Sequence, residues 1–300
     1  MPLLTTELLA KGAPLDALAP CDAIGAMIDG QISALKTVSA AAQKLDSAAQ
    51  LMAGSIRSGR SLVFVAAGSS GLMALADACE LSGTFGISPD AVSIFMAGGV
   101  PVDGRMPGDV EDDVTAAIDV VARVNAGDTV IVLSASGTTP YALAVAEGVK
   151  AKSASVIGLA NNPDTALLKL ADVAIYLATP PEVIAGSTRL GAGTAQKAAL
   201  NIMSTLMGIK LGHVYRGMMV NVVADNAKLV ERAASIVSHI ADVSRGNAKA
   251  AIRTANANTK AAILIAKGCT ALQATDALAA HDGHLDACFK SLNFNQDENV

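Results

Sequence analysis

Two short runs of small hydroxyl residues are the parts of this sequence best suited to chemistry. The first is Gly68-Ser69-Ser70-Gly71; the second, Ser134-Ala135-Ser136-Gly137-Thr138-Thr139-Pro140, carries hydroxyls at Ser134, Ser136, Thr138 and Thr139. Hydroxyls and backbone N–H groups gathered at the start of a helix favour an anion, because the helix dipole places partial positive charge there. The simplest such anion is a phosphate. Either run alone also reads as a turn whose small residues merely let the chain bend. The second run holds more hydroxyls than capping one helix needs, and the pair together points to a phosphate site.

Each run has the surroundings that would make it such a site. Leu62 to Val65 is an apolar, β-branched strand leading into the first run, with a helical pattern from near Leu72. Thr129 to Leu133 is a second such strand, and Pro140 stands where a helix tolerates its missing N–H. Two turns at the C-terminal ends of parallel strands lie together at the switch point of a doubly wound sheet.

The remaining pattern fits that frame. Further strands are expected at Ala91–Met96, Ser155–Leu159 and Val173–Leu177. Helices are expected at Tyr141–Lys150, at Ala192–Leu211, and from about Asp109 to Asp113 onward, with Asp109 as cap and Glu111 in the first turn. The alternation predicts an α/β fold, a three-layer α/β/α sandwich with a five-stranded parallel sheet of flavodoxin-like order. Residues 1–58 read as an N-terminal helical arm, 59–221 as the sandwich, and 222–300 as a small C-terminal helical region whose polar end, 295–300, frays.

Composition excludes several classes. A net charge of -5 without a basic stripe, five Phe, three Tyr and no Trp argue against a nucleic-acid partner. The apolar runs are interrupted by Gly, Asp or Lys before reaching the ~18 residues that a membrane span needs. No secretion signal is read at the N-terminus, and Cys21, Cys79, Cys269 and Cys288 lack paired or metal-ligand spacing, so a cytoplasmic protein with reduced thiols is expected. His281 and His284 lie three apart with no third ligand in view, so no metal is expected there.

The two serine turns resemble the sugar isomerase (SIS) domain, a sugar-phosphate-binding fold. Across most of the chain the resemblance is to the N-acetylmuramic acid 6-phosphate etherase family. It is carried by Ala67 to Gly71, Asp77-Ala78-Cys79-Glu80, Val110-Glu111-Asp112-Asp113, Asn162-Pro163-Asp164, Pro181-Glu182-Val183, Gly186-Ser187-Thr188-Arg189-Leu190, Ala192-Gly193-Thr194-Ala195-Gln196-Lys197 and Asn226-Ala227-Lys228-Leu229.

That resemblance implies a lyase that removes a lactyl ether from C3 of a phosphorylated amino sugar, without metal or cofactor. It implies Glu80 and Glu111 as the catalytic carboxylates. Glu111, in a first helical turn, suits a base, and Glu80, among Ala, Leu and Cys, suits an acid kept neutral by burial. Ser69, Ser70, Ser134, Ser136, Gly137, Thr138, Thr139, Glu182, Ser187, Arg189 and Lys197 are the implied substrate contacts, and a homodimer with its site at the subunit interface is the implied assembly. Leu72, Thr138 and Gly191 stand where the family carries basic residues. The superfamily also holds sugar-phosphate regulators without turnover and aldose–ketose isomerases, both alternative readings here.

Overall fold

A computed structural model of the chain describes residues 4–107, 109–222 and 227–294. The expectations at Asn226 and over 295–300 lie outside the described residues. The chain divides into two compact units, one of residues 1–79 and 89–206, the other of 80–88 and 207–300.

The first unit opens with helices α1 (Pro20–Lys36) and α2 (Ala42–Arg57). It continues through β1 (Leu62–Ala66), α3 (Gly68–Phe85), β2 (Val92–Met96), α4 (Ala116–Arg123), β3 (Thr129–Leu133), α5 (Pro140–Ala151), β4 (Ser155–Ala160), α6 (Ala166–Leu170), β5 (Val173–Tyr176) and α7 (Gly191–Lys210). The unit boundaries fall within α3 and α7. All five strands are parallel, in the order β2-β1-β3-β4-β5. This is the flavodoxin-like order expected from the sequence.

Every residue of β1 and β3 is buried, as a parallel sheet covered on both faces requires. Val63, Val65, Val130, Val132 and Val156 pack on Val120 and Val124 of the α4 segment and on Tyr141, Val145 and Val149 of α5. The intervening Phe64, Ile131 and Ile157 point to the opposite face, where α2 lies against β1, β3 and β5. Leu62 pairs with Thr129 and Ala66 with Leu133, so the two strands end level and deliver their turns side by side.

Two expected boundaries are corrected. Helix α3 starts at Gly68, not near Leu72, so Ser69 and Ser70 belong to its first turn instead of preceding it. Gly68, at φ +53°, makes the sharp exit from β1 that lets the helix begin at once. Helix α4 starts at Ala116, not between Asp109 and Asp113. Asp109 is left-handed, at φ 54°, and residues 110–113 form a turn closed by Asp113 N–H to Val110 O at 3.3 Å. The acidic run still serves the helix through Asp113, which accepts from the Thr115 hydroxyl at 2.5 Å and from the N–H groups of Thr115 and Ala116. Those contacts, the Thr115 hydroxyl foremost, hold the Asp113 carboxyl below the ordinary aspartate range.

The second unit is helical, as expected, except for a hairpin the sequence did not suggest. Strands β6 (Val214–Tyr215) and β7 (Met218–Met219) pair through Arg216 and Gly217, both at positive φ, the conformation a two-residue hairpin turn demands. Helices α8 (Ala227–Ala241), α9 (Arg245–Thr254), α10 (Thr259–Ala266), α11 (Ala271–Ala280) and α12 (Leu285–Ser291) enclose Val237, Ile240, Ile252, Ile263 and Phe289. Lys260 is buried in this unit, and burial pushes its ammonium down to about 8. No described helix is long and apolar enough to cross a membrane.

Candidate active site

The turns after β1 and β3 open onto a cavity of about 160 Å³ in the first unit. Ser69 and Ser70 line it from the first turn of α3, while Ser134, Ser136 and Thr139 line it from the loop ahead of α5. Helix geometry leaves the first-turn N–H groups of α3 without intrahelical acceptors, whereas α5 begins at Pro140, which has no N–H, and its Tyr141 N–H donates to Glu111 O, so that side offers the hydroxyls of its loop.

The second turn is internally wired. Ser134 Oγ lies 2.8 Å from Thr139 Oγ1 and 3.2 Å from Ser136 Oγ, and it accepts from Gly137 N–H at 3.0 Å. Ser136 Oγ accepts from the Thr138 N–H at 3.2 Å and from the Thr138 hydroxyl at 3.1 Å. Gly137 makes the bend at φ +72°, where an added Cβ would strike the side chain of Thr165. Gly137 and Thr138 therefore shape the loop without lining the cavity.

Glu111 also lines this cavity. Its backbone O accepts from Tyr141 N–H at 3.0 Å, tying the turn 110–113 to α5. Its side chain crosses to the other serine turn, where a Cβ built on Gly68 would lie 2.8 Å from Glu111 Oε1. The carboxylate thus stands over the N-terminal end of α3. The dipole that faces it is that of α3, not the α4 dipole expected from sequence.

Among the lining residues that the sequence reading did not name as site residues are Thr6, Glu7, Gly186 and Thr188. The N-terminal arm is held on the sheet unit by Thr6, which is 2% exposed and donates its N–H to Asn162 Oδ1 at 3.4 Å. Asn162 Nδ2 donates in turn to Thr6 Oγ1 at 3.0 Å, and Gly186 N–H donates to Thr6 O at 3.2 Å. Thr5-Thr6-Glu7 is a polar run in an otherwise apolar start, the one local sign that this segment has a polar destination. None of the described lining residues is Lys or Arg. Among the described residues, no group of three or more His, Cys, Asp or Glu stands ready to hold a metal.

Comparison with known proteins fits this geometry. Residues 29–161 match the SIS domain family model. The N-acetylmuramic acid 6-phosphate etherase of Deinococcus radiodurans is 40% identical over 286 residues, 94% of this chain and 94% of its own. The chain belongs to the N-acetylmuramic acid 6-phosphate etherase family. The Microcystis aeruginosa family member is 34% identical over 294 residues, spanning 97% of this chain and 96% of its own. A Bacteroides fragilis structure described as a phosphosugar isomerase involved in capsule formation superposes with a TM-score of 0.52 at 16% identity, over 66% of this chain and 95% of that one. That likeness speaks to the fold alone.

Of the remaining residues implied by the etherase family resemblance, Glu182, Ser187, Arg189 and Lys197 are not among the described lining of the cavity. Glu80 lies eleven residues beyond Ser69 along the sequence of α3 and is exposed, so the burial expected of it is absent in the single chain. Glu182 is 4% exposed and caps α7, accepting the N–H of Gly191 on Oε2 and of Ala192 on Oε1, each at 2.9 Å. Its carboxylate complements the positive end of α7. Ser187 is half-buried in the turn before α7, its N–H donated to Ile184 O at 3.0 Å. Arg189 is exposed, and Lys197 is exposed with its ammonium donated to Asn201 Oδ1. Leu72 is 36% exposed on α3, and Gly191 is the first residue of α7.

Proposed function

We propose that this protein is a lyase that converts N-acetylmuramic acid 6-phosphate to N-acetylglucosamine 6-phosphate and D-lactate. The observation that carries the reading is the placement of the Glu111 carboxylate in one cavity with the hydroxyls of both serine turns. Membership of the etherase family supports the substrate.

The phosphate would be held by Ser69, Ser70, Ser134, Ser136 and Thr139 with the N-terminal end of α3, in place of the basic residues the lining lacks. Glu111 then takes the proton from C2 of the ring-opened aldehyde, whose carbonyl acidifies it. Glu80 donates a proton to the departing lactyl oxygen as the C3–O bond breaks, leaving a C2=C3 double bond. Water adds across that bond, returning hydrogen to C2 and hydroxyl to C3. Arg189, Lys197 and Ser187 are further substrate contacts on this reading, while both carboxylate oxygens of Glu182 are taken up by the cap of α7.

The same reading makes the protein a cytoplasmic homodimer, with Glu80 acting from a second copy. Three observations support it. Glu80 is exposed, as a residue that acts on a second copy must be. Helix α1 exposes Ile24, Ile28, Ile32 and Leu35, spaced along one face, to the extent of 46–52% each. The described cysteines are all free thiols, as a reducing compartment favours.

Lactate release from N-acetylmuramic acid 6-phosphate by purified protein tests the activity. Glu80→Gln and Glu111→Gln should each lower it by about 10²–10⁴-fold, the usual contribution of a general acid or base. Mixing the two inactive variants should restore part of the activity if each site draws its acid from a second copy. A fully active Glu111→Gln would remove the mechanism, and binding without release would leave a sugar-phosphate regulator.

A further inference from the structure

We propose that Glu7, delivered by the N-terminal arm, is a substrate-binding carboxylate of this site that accepts hydrogen bonds from the sugar and not from the phosphate. The proposal rests on the sugar-phosphate substrate argued above and assigns a residue which that argument did not use.

The cavity has two chemical poles. Ser69, Ser70, Ser134, Ser136 and Thr139 offer hydroxyl donors, and the start of α3 adds N–H donors, all suited to a phosphate. Glu7 and Glu111 line the same cavity and, as carboxylates, offer acceptors alone. A phosphate dianion is repelled there, whereas the O–H groups and the 2-acylamino N–H of an amino sugar are the donors such a pole needs. Glu111 is taken up with the proton at C2. Glu7 is left to receive one of the sugar's donors and fix the ring relative to that base.

The arm is built to hold Glu7 in place. Its neighbour Thr6 is tied to Asn162 and Gly186 by three hydrogen bonds of 3.0–3.4 Å. On the other side, Leu9 bridges to Glu182, and Ala10 N–H donates to Glu182 O at 2.8 Å. Glu7 N–H itself donates to Leu4 O at 2.9 Å. Position 186 is glycine, and a Cβ there would sit 3.3 Å from Glu7 Oε2. The backbone that carries Glu7 is thereby pinned on both sides, with its exposed side chain at the wall of the cavity.

The test compares binding of N-acetylglucosamine 6-phosphate and of inorganic phosphate to the full-length protein, Glu7→Gln and Glu7→Asp. Glu7→Gln should weaken the sugar phosphate by about tenfold or more, the loss of one hydrogen bond to a charged acceptor, while phosphate affinity changes less than about twofold. Glu7→Asp should fall between wild type and Glu7→Gln. With N-acetylmuramic acid 6-phosphate, Glu7→Gln should raise KM or lower kcat/KM with the melting temperature unchanged. A Glu7→Gln protein that binds the sugar phosphate like wild type overturns the proposal. Parallel loss of both ligands also overturns it, since Glu7 would then be holding the arm and not the sugar. A wild-type protein that binds phosphate but not the sugar phosphate fails the substrate reading itself and takes this proposal with it.

Discussion

The two serine turns look alike in sequence and sit on neighbouring strands, yet they are built on opposite plans. The turn after β1 is the first turn of a helix, with Gly68 as its hinge and a carboxylate from a distant turn laid across it. The turn after β3 precedes its helix and is wired to itself through Ser134, which is 3% exposed and meets Ser136, Gly137 and Thr139. Pro140 explains part of the difference: its ring favours the first helical position and pushes the residues before it out of helical geometry. The first turn therefore depends on what is placed over it, and the second is ordered before any ligand arrives. On the proposed reading both turns meet the phosphate, and the first also carries the base.

That contrast breaks most visibly at Gly68. A methyl group there would lie 2.8 Å from Glu111 Oε1, the movable end of a side chain, so Gly68→Ala should displace the carboxylate and spare the fold. Lactate release should fall by about 100-fold, as misplacing a reacting group by roughly 1 Å can do. The stability cost should stay near the ~1–2 kcal/mol of one left-handed residue. Steady-state rates equal to wild type would show that Glu111 is not held by the first turn.

Gly137→Ala should do the reverse. Its methyl group meets Thr165 Oγ1, Cβ and Cγ2, a β-branched side chain with little room to yield. Chemical denaturation should register a loss of about 2 kcal/mol or more from strain and overpacking together. A variant as stable as wild type that still binds phosphate would erase the distinction between the turns.

Two hydroxyl deletions sharpen the comparison at smaller scale. Ser134→Ala leaves the Thr139 hydroxyl without its partner, while Gly137 N–H keeps its bond to Ser134 O, and should weaken phosphate binding by about tenfold. Thr138→Ala removes an exposed hydroxyl that only backs Ser136, and should change affinity by less than about twofold. Equal effects in a titration with inorganic phosphate would contradict the view of Ser134 as the hub.

Much of this was legible in the residues. Runs such as Leu62 to Val65 and Thr129 to Leu133 are apolar without interruption because both faces of a parallel sheet are covered. Their strand-and-helix alternation leaves few other topologies. The start of α4 was not legible, because an acidic run reads the same whether it occupies a first turn or caps from outside, and the left-handed Asp109 leaves no composition signal. Nor was the separation of Glu182 from the cavity: a buried carboxylate that caps α7 and one that binds a ligand have the same sequence appearance.

What the sequence determined by itself is the layered fold, the pair of adjacent turns and the hydroxyls they carry, because strand period, turn chemistry and capping are local properties of the chain. What only the tertiary structure decided is which carboxylates meet those hydroxyls. Glu111 is 41 residues from Ser70 and Glu7 is 62 residues from Ser69 in the sequence, and no periodicity links them. They reach one cavity because long-range hydrogen bonds, from Tyr141 to Glu111 and from Asn162 and Gly186 to Thr6, close loops whose ends have no local reason to meet.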